Sequence, residues 1–264
     1  MTTSSSENKG KVYFIGAGPG APDLITVRGA DLIKRADCII YAGSLVNVQL
    51  FEGCRSPLYD SSTLHLAEIV DLMTDTCEKG GSVARVHTGD PSLYGAIKEQ
   101  MLRLDEKGIE WEIVPGVTSA FGAAASLGVE LTLPEVTQSL IVTRRGGRTP
   151  VPELESLPHL AVHQATLMIY LSVSMIEDVA AELVSGGYEK TTPAAVVMKA
   201  TWPDEKIVRG CLADIADKVR KENITKTALI CVGRVFGEKA FKTASKLYDK
   251  GFSHSLRDGS SGDL

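Results

Sequence analysis

The sequence predicts an α/β protein made of two α/β domains, and three observations carry that expectation. Apolar, β-branched runs recur along the chain, segments of helical periodicity separate them, and the pattern breaks near Leu133-Pro134 and restarts beyond it. A length of 264 residues fits two domains, because about 100–200 residues usually make one. The expected divisions are a disordered leader over 1–10, an N-terminal domain over 11–133, a C-terminal domain over 134–250 and a disordered tail over 251–264.

In the first half the runs are VYFIG (12–16), CIIYAG (38–43), SVARVH (82–87) and WEIVPG (111–116). After the first, Thr26 is placed to cap a helix in which Val27, Ala30, Ile33 and Ala36 share one face. LHLAEIVDLMTDTCEKGG forms a second helix, which Gly80-Gly81 stops. Strands alternating with crossover helices make a parallel sheet, and the loops after its strands then share the rim where open α/β sheets bind ligands.

The second half repeats with SLIVT (139–143), LMIYLS (167–172), AAVVM (194–198), KIVRG (206–210) and ALICVG (228–233). GRTPVPELESLP (147–158), with its three prolines, reads as a loop. KIVRGCLADI follows AAVVMKATWPDE closely enough to return antiparallel, so this sheet reads as mixed.

Composition narrows the function classes. A hydrophobic content of 44% with 23% charged residues describes a soluble globular chain, and no apolar run reaches the roughly 18–20 residues of a membrane span. The leader MTTSSSENKG lacks the apolar core of a signal peptide, which points to the cytoplasm. Five cysteines, at 38, 54, 77, 211 and 231, form no close pair and suggest no disulfide framework; Cys38 and Cys231 sit in apolar runs and belong to the core. His159 and His163 have i,i+4 spacing but no nearby acid or third ligand, so no metal site is expected. A net charge of −5 argues against a nucleic-acid partner.

Three rim loops carry the candidate chemistry. GAGPGA fits the dinucleotide pattern G-x-G-x-x-A through Gly16, Gly18 and Ala21, but Pro19 and Pro22 remove backbone donors and no acid follows the second strand to hold a ribose, so no NAD is expected. HTGDPSLYG (87–95) offers Asp90, an acceptor for ribose hydroxyls or an ammonium group, and VPGVTSAFGAAAS (114–126) offers the hydroxyls of Thr118 and Ser119 before a small-residue helix. Each alone reads more readily as a structural turn than as a site; three on one rim shift the reading toward a ligand.

Taken together, GAGPGAPDLITVRG, YAGSLV, HTGDPSLYG, IVPGVTSA, LTLPEV and VMKATWPDE resemble the tetrapyrrole methylases, which methylate uroporphyrinogen and the precorrins from S-adenosylmethionine. The resemblance covers about residues 11 to 240. YAGSLV, GDPSLYGAI and TRRGGRTPVPE look most like the members that methylate carbon 11 of precorrin-4 or cobalt-precorrin-4 in cobalamin synthesis. It implies a homodimer with the donor in a cleft between the two domains, no metal and no flavin. By motif, Pro19, Gly89, Asp90, Leu93, Thr118, Ser119, Leu171, Ala200, Ala228 and Leu229 would hold the donor. Related precorrin-2-forming enzymes carry an acid after the second strand's tyrosine; here Tyr41 precedes Ala42-Gly43-Ser44, so no general acid or base is assigned.

The acceptors of this family carry many carboxylates, which an acidic protein must meet with local cations. Arg144, Arg145 and Arg148 in TRRGGR, with Lys199, are the candidates, and a solvated basic loop is the alternative. Tyr94 and Trp202 would either stack on the macrocycle or line the cleft as ordinary aromatics. Two further readings remain: methylation at another ring position, and a non-catalytic ligand sensor. Asp90→Ala is expected to weaken donor binding with the fold intact.

Overall fold

The protein is described from a computed structural model that covers residues 10–237 together with 252, 253 and 255. The rest of the expected leader and tail lies outside the described residues. Gly10, assigned to the leader, instead donates its N–H to the Cys77 carbonyl at 2.8 Å. Two compact units make up the described chain, residues 10–123 with 199–205, and residues 124–198 with 206–237.

The first unit contains a parallel sheet of β1 (Lys11–Gly16), β2 (Cys38–Tyr41), β3 (Leu58–Asp60), β4 (Val83–His87) and β5 (Glu110–Val114), in the order β3-β2-β4-β1-β5. Every residue of β4 is buried, as a central strand covered on both faces should be. All three residues of the edge strand β3 are exposed, and its brevity hid it from pattern reading.

Helix α1 (Val27–Arg35) is capped as expected, Thr26 Oγ1 accepting from Gly29 N at 3.1 Å. Its buried line differs from the expected one: Gly29, Ile33 and Ala36 are buried, while Val27 is 83% exposed. The cause is Gly29, where an added Cβ would stand 3.0 Å from the Ile15 side chain, so the helix rests on β1 through its glycine. Helix α2 (Leu66–Glu78) buries Ile69, Val70, Met73, Thr74 and Cys77, and Gly80 at φ +81° follows its end. Helices α3 (Lys98–Glu106) and α4 (Ser119–Leu127) follow β4 and β5, and the division between the units falls inside α4.

The second unit contains a mixed sheet of β6 (Leu140–Arg144), β7 (Thr166–Tyr170), β8 (Pro193–Met198), β9 (Lys206–Cys211) and β10 (Ala228–Val232), ordered β6-β7-β10-β8-β9. The pair β6 and β7 is parallel and the other pairings are antiparallel, including the expected return of β9 on β8. Its core is built on α5 (Leu157–Ala161), α6 (Ile176–Ser185) and α7 (Ile215–Lys221). The proline-rich loop is therefore shorter than expected: α5 starts at Leu157, with Pro158 in its first turn, where a missing N–H costs nothing. All five cysteines are free, with Cys38, Cys77 and Cys231 buried; burial pushes the Cys231 thiol up to about 12.

Candidate functional site

The loops after β1, β4 and β5 meet through bare backbone. Gly18 and Gly89 exchange N–H···O bonds at 2.8 and 3.2 Å, and Ala17 N donates to His87 O at 2.8 Å. A Cβ on Gly16 would stand 2.6 Å from both Gly116 Cα and Gly89 O, so the approach requires glycine. Asp90 fastens the same junction, its Oδ1 accepting from Ser92 N at 2.8 Å and its Oδ2 from Gly116 N at 2.9 Å. That tie, which engages both carboxylate oxygens, was not expected of Asp90.

The outer part of the first loop is held by residues 199–205. Trp202 Nε1–H donates to Pro19 O at 3.1 Å, and Ala21 N donates to Thr201 Oγ1 at 3.0 Å. A Cβ on Gly20 would overlap the Trp202 indole, and one on Gly122 of α4 would stand 2.7 Å from Pro19 Cβ. From the other side Asn47, itself buried, donates to Gly20 O at 3.1 Å. Gly18 and Ala21 N–H are thus engaged inside the protein, and Pro19 and Pro22 have none to give. Trp202 acts here as a clamp, half-buried against the loop.

Segment 199–205 is itself tightly folded. Lys199 and Thr201 adopt φ of +50° and +68°, values uncommon outside glycine and rarest for a β-branched residue such as Thr201. Thr201 N donates to Glu205 Oε2 at 2.6 Å, and Lys199 Nζ pairs with Asp204 at 2.5 Å while lying 5.6 Å from the Trp202 ring centre. The Lys199 hydrogen bond holds the Asp204 carboxyl below its usual range. Ala200 is 5% exposed.

Of the expected donor residues, Gly89, Thr118 and Ser119 come together in this unit. Gly89 has φ +61°, and a Cβ there would lie 3.5 Å from Thr118 Cα and 3.9 Å from Ser119 Oγ. Bare glycine thus leaves a shallow cradle against the start of α4. Leu93 donates its N–H to Asp90 O, and Tyr94 follows at φ +56° and 43% exposed. The rim also holds a carboxylate that pattern reading missed: Asp60 ends β3 opposite Tyr41, accepts from Ser62 N at 2.8 Å, and has its pKa lowered by that bond. The sequence places it 19 residues after Tyr41, and only the pairing of β3 with β2 brings the two level.

In the second unit, Leu171 follows β7 at φ +54° and is 69% exposed. The register of β10 on β7, Ile230 opposite Ile169, carries Ala228 and Leu229 to that same end of the sheet. The three arginines do not act as one cluster. Arg145 is paired with Glu182 at 2.7 Å and Asp178 at 3.3 Å, and the Glu182 bond raises its pKa. Arg144 donates to the carbonyls of Thr149 at 2.9 Å and Pro150 at 2.8 Å, so it braces its own loop. Arg148 is exposed and forms no ion pair among the described residues. No group of three or more metal-ligating side chains occurs among the described residues, and no helix there is long and apolar enough to cross a membrane.

Comparison with known proteins follows the same lines. A cobalt-precorrin-4 C(11)-methyltransferase of Methanocaldococcus jannaschii is 56% identical over 95% of this chain and 97% of its own length. A precorrin-4 C(11)-methyltransferase of Pseudomonas aeruginosa is 51% identical over 94% and 99%. The solved structure of a cobalt precorrin-4 methyltransferase superposes with a TM-score of 0.84 at 48% identity, covering 86% of this chain and 96% of that one. A uroporphyrin-III C-methyltransferase of Thermus thermophilus, solved with S-adenosylhomocysteine, superposes at 0.73 with 28% identity, over 86% and 98%. The family model for tetrapyrrole (corrin/porphyrin) methylases matches residues 11–216, which span the laced loops and both sheets up to α7, and the chain belongs to that family.

Proposed function

We propose that the chain transfers the methyl group of S-adenosylmethionine to carbon 11 of precorrin-4 or cobalt-precorrin-4, a step of cobalamin biosynthesis, and releases S-adenosylhomocysteine. The observation that carries this reading is that relatives named for C(11) methylation share 56% and 51% of their residues with this chain over nearly its whole length. The cobalt, where present, belongs to the substrate.

The Gly89 cradle fits such a donor, because it offers bare backbone beside two hydroxyls and the N-terminus of α4. Pro19, Gly89, Asp90, Leu93, Thr118, Ser119 and Ala200 of the first unit are the proposed donor contacts, and Leu171, Ala228 and Leu229 are those of the second. When bound, the donor supplies an already activated sulfonium methyl. The chain's task is then to orient and to exclude water, which is worth several kcal/mol without a covalent enzyme intermediate. The clamp on the first loop and the Asp90 tie suit that task, since both fix backbone before a ligand arrives.

For the acceptor, Arg148 is the proposed carboxylate contact, with Tyr94 beside the donor loop. Arg144, Arg145 and Lys199 stay in the proposal as residues that would have to exchange their present partners. A homodimer acting in the cytoplasm completes the reading. Incubation with methyl-labelled donor and each acceptor tests it: label at carbon 11 is expected, and label at another ring position, or none, would overturn it.

A further inference from the structure

Among the described residues, one Lys or Arg side chain, one His and no Asp or Glu are buried, and the two buried bases are neighbours. Arg85 and His87, 5% and 4% exposed, point to the same face of the central strand β4, on the side covered by α2 and α3. Arg85 Nε donates to Gln100 Oε1 at 3.0 Å and Nη1 makes a long bond of 3.4 Å to Ile40 O. Gln100, 4% exposed, passes the contact on to Ala96 O at 3.0 Å. The Arg85 guanidinium has no carboxylate within ion-pair distance among the described residues.

An uncompensated buried cation is costly, and buried polar atoms are normally bonded. His87 adds a second observation of the same sign. Its Nε2 is buried with no hydrogen-bond partner, and its ring stands 6.1 Å from that of Phe14. Burial, helped by the Arg85 charge, pushes the imidazole down to about 3, so it stays neutral and carries one N–H. A guanidinium with spare donors and an imidazole able to donate from Nε2 thus share one face of β4, and no Asp or Glu is buried beside them among the described residues.

We propose that Arg85, His87 and Gln100 form a buried site for a small carboxylate. The guanidinium fork matches the two oxygens of such an anion, the His87 N–H supplies a further donor, and the anion's charge offsets the one that β4 buries. The site anchors both ends of the 88–97 loop: His87 opens it, and Gln100 bonds Ala96 near its close. Occupancy would stiffen that loop, which carries Gly89 and Asp90. The carboxylate is either a free small ion or an arm of the acceptor; the second source rests on the function proposed above, whereas the site itself does not.

The test is a titration of the whole protein with sodium formate, at constant ionic strength against bulky gluconate, read on the His87 ring resonances by NMR. A saturable, one-site displacement is expected in the native protein, with its loss in Arg85→Met, a swap that removes a buried charge without leaving a hole. Formate moving His87 no more than gluconate does, or an identical curve in Arg85→Met, would overturn the proposal. The native titration decides alone if the variant fails to fold. A methyl-transfer assay then separates the sources: formate that raises the acceptor KM assigns the site to an acceptor arm, and an unchanged KM with formate bound assigns it to a free ion.

Discussion

The first unit's rim is closed by backbone and the second unit's by side chains. Around Gly16, Gly18, Gly89 and Gly116 the loops touch main chain to main chain, and the Asp90 carboxylate accepts from Ser92 N in its own loop and from Gly116 N across the junction. Around Arg144 and Arg145, long cations brace a loop and α6 through carbonyls and surface carboxylates. The first arrangement leaves no room to adjust and fixes the loop backbone to within narrow limits; the second tolerates exchange of partners. A rim that orients a reacting group benefits from the first kind, and a surface that receives a variable, many-armed acid benefits from the second.

The sharpest way to break this contrast is to add one carbon to the rigid rim. Gly116→Ala drives a Cβ into the Gly89 carbonyl, backbone against backbone. A loss of roughly 3 kcal/mol of stability, with loss of donor binding, is expected from thermal unfolding and calorimetry. Asp90→Ala removes two charge-assisted bonds to N–H groups, and a cost of about 2–3 kcal/mol is expected together with weaker donor binding. The fold is therefore not left untouched, contrary to what the isolated motif suggests. Asp90→Asn, which keeps one acceptor but turns a donor toward the other N–H, should recover only part of the stability in chemical denaturation.

His87 gives the first unit a pH dependence of its own. Its folded pKa, pushed to about 3, lies below the ordinary value of about 6.5, so below pH 6.5 the unfolded chain binds one more proton than the folded one. Stability should fall as pH drops from about 6.5 toward 3, by up to about 1.4 kcal/mol per pH unit from this group. His87→Phe should flatten that slope in denaturant titrations run at several pH values.

Trp202→Phe removes the bond to Pro19 O while keeping the ring, and about 1 kcal/mol is expected in unfolding experiments. Arg145→Gln breaks a partly exposed pair with Glu182, worth about 1 kcal/mol or less, and an acceptor KM left unchanged in the methyl-transfer assay would remove Arg145 from the proposed acceptor contacts. Arg148→Ala should raise the acceptor KM several-fold with stability unmoved.

Much of the fold was legible because periodicity reports burial, and burial decides strands and helices here. The runs around Phe14, Ile39, Val86 and Ile113 all became strands of one parallel sheet, and the antiparallel return of Lys206–Cys211 followed from loop length. Edge strand β3 escaped because three exposed residues have no apolar alternation to read. The buried face of α1 was misjudged because a glycine, which scores as nothing in a hydrophobic pattern, set the line of contact. At the site, the glycine loops were recognised, but not what occupies them. That Trp202 would reach back 183 residues to Pro19, that Asp60 would stand beside Tyr41, or that Arg145 would face Glu182 are long-range pairings which no local spacing encodes.

The laced first-unit rim is expected to receive a methyl donor and not a dinucleotide. Calorimetric titration of the full chain with S-adenosylhomocysteine, run beside NAD, tests it most directly. The account predicts saturable binding of S-adenosylhomocysteine at one site per chain and no heat from NAD beyond dilution. Binding of NAD, or silence from both ligands, would contradict it.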